Sequence, residues 1–200
     1  MTCRIESVLV PPIVAEPLSL DDAKLRAGLD WVVGDPRDDL MTGFIAAARG
    51  KVEHDTGLAL PTQSRDLMFD ALPTSIYLRD LPDQSLPLQS VTSLTWYDSA
   101  GAAHVLTPLT DYTVLQSNRT LSFTILTPPV DLRLTNGWTV RIVAGFAADA
   151  LPPELLQAIG LLTAHYATTG RDLVSLGHMV ADVPFGYEDI IAPFRIVSVM

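Results

Sequence analysis

Between Asp35 and Gly57 the apolar residues Leu40, Phe44, Ile45, Ala48 and Val52 recur three, four and seven positions apart, which is the period of a helix with one buried face. Asp35 stands where a helix cap is needed, and Pro36 stands at a first helical position, where its missing N–H costs nothing. Gly57 supplies the stop. Before it, Pro17 to Leu25 carries Ser19 as an N-cap, with Asp21 and Asp22 in the first turn complementing the helix dipole; this helix ends near Asp30. The pair is expected to pack antiparallel.

From Gln63 to Phe146 the pattern changes to short alternating runs broken by turn residues. Seven strands are expected: Arg65 to Asp70, Ser75 to Leu78, Val91 to Tyr97, Val105 to Leu106, Tyr112 to Leu115, Leu121 to Leu126 and Trp138 to Ala144. The segments 98–101 (DSAG) and 135–137 (TNG) have turn chemistry, and the prolines of this region fall outside the strand interiors.

After Leu151-Pro152-Pro153 the helical period returns, with Leu155, Ile159, Leu162 and Tyr166 on one face. Leu156, Ala158, Leu161 and Ala164 leave little polar surface elsewhere, so this helix is expected to be buried on several sides until Gly170 ends it. Gly170 to Val183 shows no period and reads as a loop. A tight turn, one helical turn and an aromatic tail follow from Pro184 to Arg195.

Composition narrows the picture. Of the 200 residues 48% are hydrophobic, enough to build a core without staples. Cys3 is the single cysteine, so an internal disulfide and a multi-thiolate zinc site are both excluded. Glu6 and Pro11-Pro12 spoil a signal-peptide reading of the N-terminal apolar stretch, and the uncharged run from Leu155 to Gly170 is too short and polar for a membrane span, so a soluble cytoplasmic protein without membrane partners is expected. A formal charge of −10 argues against a general DNA-binding surface. It suits either simple solubility or a channel wall along which DNA slides without being held.

No chemistry-bearing motif stands out. His54, His104, His165 and His178 are never three or four residues apart, and no nucleophile elbow, phosphate loop or dinucleotide fingerprint occurs. No metal, cofactor or catalytic residue is therefore assigned. His165 reads as a core or interface histidine. The acidic pairs Asp21-Asp22, Asp38-Asp39 and Glu188-Asp189 lie near helix starts, where dipole compensation accounts for them, and Arg49, Lys51, Glu53 and Asp55 read either as a solvated face or as an intersubunit ion-pair patch. Phe185, Tyr187, Ile190, Ile191 and Phe194 fall within ten residues on a segment too short to bury them against itself, with Arg195 beside them. They dock either on their own helices or on a neighbouring subunit or partner, and as a candidate interface they have the residue types of interface centres.

Four stretches together resemble the head–tail connector, or portal-adaptor, family of tailed bacteriophages: the opening helix 17–24 (PLSLDDAK) with Asp38-Asp39-Leu40; the run 46–60 (AAARGKVEHDTGLAL); the strand 86–98 (LPLQSVTSLTWYD) with Asp111-Tyr112; and the helix from Pro152 with the terminal 184–195 (PFGYEDIIAPFR). The order of the four over nearly the whole chain carries the likeness, while the regions 106–129 and 170–183 match little. The resemblance implies an α+β fold that is mainly a helical bundle with a small inserted antiparallel β subdomain. Residues 1–200 would form a single connector domain, with N-terminal helices over 17–62, a β-rich insertion over 63–146, and a C-terminal helix, loop and docking tail over 151–200. It also implies a non-enzymatic subunit of a homo-oligomeric ring of roughly twelvefold order. The ring would sit at the virion head–tail junction between the portal protein and the tail-completion proteins, formed in the host cytoplasm, with DNA passing through without tight binding. A tail-completion or neck protein, and a hydrolase whose triad converges only in the fold, are the alternatives.

Overall fold

The computed structural model describes residues 5–10, 13, 15–32, 34–82, 84–117, 119–147, 149–172 and 186–196, with the side chains of 169–172 left aside. The chain divides into two compact units: residues 1–13, 62–145 and 196–200 form a β unit, and 14–61 with 146–195 form a helical unit.

In the β unit, five strands hydrogen-bond in the order β1-β2-β8-β4-β5, all antiparallel: β1 (Ile5–Val10), β2 (Gln63–Phe69), β8 (Trp138–Ala144), β4 (Leu88–Tyr97) and β5 (Ala103–Leu106). A second antiparallel sheet has the order β3-β7-β6, from β3 (Ser75–Tyr77), β7 (Thr120–Ile125) and β6 (Tyr112–Gln116). The period of two is plain in β2, where Gln63, Arg65, Leu67 and Phe69 are buried and the residues between them are not, and in its partner β8, where Trp138, Val140, Ile142 and Ala144 are buried. Leu67 faces Val140 and Phe69 faces Trp138 across the ladder, so the register places one apolar face in the core. Arg65 shares that face; its guanidinium donates to Ser7 Oγ at 2.8 Å and to Gln84 Oε1 at 3.0 Å, which offsets part of its burial.

In the helical unit, α1 (Leu20–Arg26) starts as expected: Ser19 Oγ accepts from Asp22 N at 3.1 Å and donates to the Asp22 carboxylate at 2.7 Å. The helix is shorter than expected, ending at Arg26 rather than near Asp30. α2 (Arg37–Thr56) buries Met41, Ile45, Ala48 and Val52, and α3 (Pro153–Asp172) buries Leu155, Ala158, Ile159 and Leu162; these belong to one core. α3 runs two residues past Gly170. Most of the loop expected from Gly170 to Val183 lies outside the described residues. Arg26 lies across α3 at Gly160, where an added Cβ would sit 2.7 Å from Arg26 Cδ, and it donates to Gln157 Oε1 at 2.6 Å. Gly57 closes α2 in the left-handed conformation, φ 75°, with its N–H on the Glu53 carbonyl.

Glu53, almost fully buried, then holds the chain where it leaves the helices. One carboxylate oxygen accepts the Leu60 amide at 2.9 Å and the other takes Arg49 Nη1 at 2.5 Å, while Arg49 Nε reaches Glu16 at 2.8 Å. Leu60 O in turn accepts from Phe146 N at 3.0 Å, and Pro61 and Phe146 form a parallel bridge.

The expectation of a mainly helical bundle with a small β insertion is corrected here. Among the described residues two sheets of five and three strands carry as much of the architecture as the helices do, and only α2 and α3 are long helices. The larger sheet also recruits β1 from before the first helix.

Replacing Glu53 by Ala leaves a part-buried guanidinium short of a partner and an unpaired backbone amide, and is expected to cost on the order of 2–4 kcal/mol. Glu53→Gln, which still accepts from Leu60, is expected to cost less. Urea unfolding followed by the far-UV helical signal checks both values and their order.

Candidate assembly surfaces

Gly186, at φ 94°, turns the chain into the short helix α4 (Tyr187–Ile191), which continues as one 3-10 turn, Ala192–Phe194. Tyr187 and Ile191 are fully buried in the helical core. The Tyr187 hydroxyl donates to Asp55 Oδ2 at 2.8 Å, and Lys51, one turn earlier on α2, reaches both Asp55 oxygens at 2.6 and 2.7 Å. Burial alone raises the Asp55 pKa; the hydrogen bonds from Lys51 and Tyr187 outweigh it and hold the carboxyl below its ordinary range. Burial, reinforced by the Asp55 charge, pushes the Tyr187 phenol well above its ordinary range.

Of the six residues expected at an interface, Tyr187 and Ile191 thus close the core of their own unit. Ile190 and Phe194 are half-buried against the same core. Arg195 is exposed and pairs with Glu188. Phe185 lies outside the described residues. Ile190, Phe194 and Arg195 therefore retain surface for a partner.

A second surface, which sequence reasoning missed, lies beside the α1–α2 connection. Asp38 is its knot: the carboxylate takes Lys24 of α1 at 2.6 Å, the Trp31 indole N–H at 2.7 Å and the Gly34 amide at 2.7 Å. The hydrogen bonds from Lys24 and Trp31 hold its pKa down. Arg37 lies over the Trp31 ring, 4.4 Å from its centroid, and is itself clamped on both oxygens of Asp35 at 2.8 and 2.7 Å. Beside this locked turn opens an apolar groove of about 250 Å³, enclosed by Leu29, Trp31, Leu40, Met41, Phe44 and Ala167, with Arg37 in its wall. Leu40 is 60% exposed, and Leu25 and Val32 nearby in sequence are 79% and 82% exposed. The helical period had assigned Leu40 and Phe44 to the buried face; the structure buries Met41 instead and turns Leu40 outward.

The β unit offers a third surface. Asp111 ties the β5–β6 turn to the end of β7, accepting from Thr107 N at 2.8 Å and Thr127 Oγ1 at 2.7 Å, and its carbonyl takes the Leu126 amide at 2.8 Å. The turn it braces holds Leu109 at φ 66° and 82% exposed. The β7–β8 connection is likewise fixed, through Ser99 to Asp131 and through Arg133, whose guanidinium donates to the carbonyls of Thr135 and Asn136 at 2.8 and 2.5 Å. It nonetheless leaves Val130 and Leu134 in solvent. Leu109, Val130 and Leu134 thus stand exposed on turns whose backbone is held by hydrogen bonds.

Among the described residues no group of three or more His, Cys, Asp or Glu is arranged to hold a metal ion, and no helix is long and apolar enough to cross a membrane. His104 stacks on Trp96 with centroids 4.1 Å apart and lies 3.1 Å from Asp98. Among the described residues Lys24, Arg37, Arg49, Lys51, Arg79, Arg141 and Arg195 are paired with carboxylates of their own chain. Arg26, Arg65 and Arg133 donate to neutral oxygens.

No family model and no curated protein matches the sequence. Solved structures do match. A chain from the neck of an empty gene transfer agent (GTA) particle computed with C6 symmetry superimposes with a TM-score of 0.71 at 23% identity, over 98% of this chain and 97% of that one. A chain from the virion of the native GTA particle gives 0.68 at 23%, over 100% and 98%. One from the neck of the native particle computed with C12 symmetry gives 0.65 at 25%, over 98% and 97%. Over nearly its whole length the protein has the fold of these chains from the neck and virion of a gene transfer agent particle.

The Tyr187 phenol gives a pH signature. A pKa raised by folding stabilises fully below the unfolded value near 10 and is lost as pH rises beyond it, because the unfolded chain ionises first. Stability is expected to fall above pH ~10, by at most about 1.4 kcal/mol per unit from this group, and Tyr187→Phe is expected to flatten that fall while costing about 1 kcal/mol at neutral pH. Thermal unfolding of both proteins from pH 7 to 11 measures it.

Proposed function

We propose that this chain is a structural neck protein of a tailed phage or phage-like particle, and more narrowly a head–tail connector subunit that forms a ring between portal and tail-completion proteins and continues the DNA path. The observation that carries this reading is likeness over nearly the whole chain: both the helical and the β unit have counterparts in chains from GTA necks computed with C6 and C12 symmetry. A closed ring needs heterologous contacts, in which two different surfaces of one subunit meet those of its neighbours. The surfaces around Ile190, Phe194 and Arg195 and around Val130 and Leu134 are candidates for those contacts.

The charge distribution supports a DNA path that does not grip. Most described cations are engaged by acceptors of their own chain, and the surplus of 23 acidic over 13 basic residues repels phosphate. The action of such a subunit is geometric, with no catalytic residue assigned, and its place is the head–tail junction of the virion after assembly in the host cytoplasm.

Mixed with the portal protein of its own particle, the purified protein is expected to give closed rings of roughly twelvefold order by electron microscopy and native mass. Failure to join any ring on that portal removes the connector reading. Duplex DNA is expected to bind weakly at physiological salt, and tight binding with a steep salt slope removes the non-gripping channel. Phe194→Ala is expected to lower subunit melting in part, since the ring is half-buried against the helical core, and to weaken association of the folded subunit on the portal by a further ~1 kcal/mol or more. Truncation before Gly186 would remove Tyr187 and Ile191 and unfold the helical unit, so the point substitution is the cleaner probe.

A further inference from the structure

The groove beside the α1–α2 connection has three properties that together specify what fits it. Its walls are mainly apolar, from Leu29, Trp31, Leu40, Met41 and Phe44, and the one cation among them, Arg37, is neutralised by Asp35. Its volume of about 250 Å³ falls below the roughly 300–1,000 Å³ of small-molecule sites and above the ~150 Å³ that holds one benzene, so it suits one or two anchoring side chains. Its surroundings are acidic: residues 19–40 contain six aspartates against three cations, of which Lys24 is taken by Asp38 and Arg37 by Asp35. Asp30 and Asp39 remain exposed on the segments that supply the groove's walls. The knot at Asp38 holds the site open in a fixed shape, so a ligand need not order the loop on binding.

We propose that this groove is the docking site for a basic segment of a partner protein, an apolar side chain or adjacent pair flanked by lysine or arginine. The apolar anchor fills the space over Trp31 and Phe44, and the flanking cations meet Asp30 and Asp39. An acidic partner, including a second copy offering its own acidic helical surface, is repelled by the same rim. The inference stands on the groove and its rim, and does not depend on ring formation.

The test titrates the isotopically labelled full-length protein with a synthetic amphipathic Leu/Lys peptide and its Leu/Glu counterpart, following the Trp31 indole N–H, which lies at the groove and is bonded to Asp38. The Leu/Lys peptide is expected to shift this resonance and the Leu/Glu peptide to leave it unmoved. Leu40→Glu, at a site already 60% exposed, is expected to weaken binding at least ~10-fold. Added negative charge would strengthen a merely electrostatic attraction, so loss of binding in that variant locates the contact in the apolar groove. The double variant D30K/D39K, exposed and outside the knot, is expected to weaken binding several-fold and to flatten its salt dependence. Equal binding of both peptides, unchanged binding to Leu40→Glu, or no response to the Leu/Lys peptide each overturns the proposal. So does concentration-dependent self-association that Leu40→Glu abolishes while the peptide fails to bind, which would assign the groove to a second copy. Ring assembly of the same variants on the portal, read by electron microscopy, reports separately on the connector reading.

Discussion

The Glu53 carboxylate governs how this chain can be two units at once. A chain that leaves a helix through a buried segment carries backbone amides in need of acceptors, and a carboxylate almost fully withdrawn from water needs donors. Glu53 answers both needs, binding the Leu60 amide with one oxygen and Arg49 with the other. With Leu60 fixed, its carbonyl can receive Phe146, so the outgoing and returning chains are bonded to each other within the helical unit. The stretch between them is then free to be a sheet, and α3 starts only seven residues after Phe146. Two long separated pieces of sequence can share one helical core because that short seam is closed.

The second closure comes from the far end of the chain. α4 is a single short turn and could not persist alone, yet Tyr187 and Ile191 are among the most deeply buried side chains of the molecule. The phenol that reaches Asp55 satisfies a polar group that burial would otherwise penalise, and Lys51 supplies the balancing charge. The amphipathic composition of the tail thus serves the subunit first, and what α4 and its 3-10 turn leave uncovered, Ile190, Phe194 and Arg195 included, is available for a neighbour.

The sequence was most readable where periodicity and caps agree. Ser19 and Asp22, Gly57 and the long runs of α2 and α3 can be read directly, and each of the seven strand candidates corresponds to an observed strand. The weight of sheet against helix was misjudged because the resemblance drew attention to the helices. β1 went unread because Ile5 to Val10 alternates poorly and is cut short by Pro11-Pro12; pairing with β2, far along the chain, is what makes it a strand. Asp38 looked like a dipole-compensating acid because its three donors come from Lys24, Trp31 and Gly34, and no local pattern shows that they converge. The aromatic tail was ambiguous for the same reason, since composition announces burial but not against which surface.

Charge is divided unevenly between the units, and this bears on what each can meet. Residues 14–61 and 146–195 hold 15 acidic and 7 basic residues, whereas the β unit holds 8 and 6. A unit with a formal charge of −8 gains little from facing a like-charged copy across a broad contact, so extensive self-association is more favourable through the nearly balanced β unit, where Leu109, Val130 and Leu134 stand on braced turns. The helical unit is the better counterpart for basic surfaces, and the apolar groove near Trp31 gives such a surface a place to anchor. Internal neutralisation sharpens the division. Because Arg49, Lys51 and Lys24 are committed to Glu53, Asp55 and Asp38, the remaining acids are not relieved from within, and their field falls off only over the Debye length of about 8 Å at physiological salt. Within that distance a positively charged surface is attracted and a phosphate-bearing one repelled.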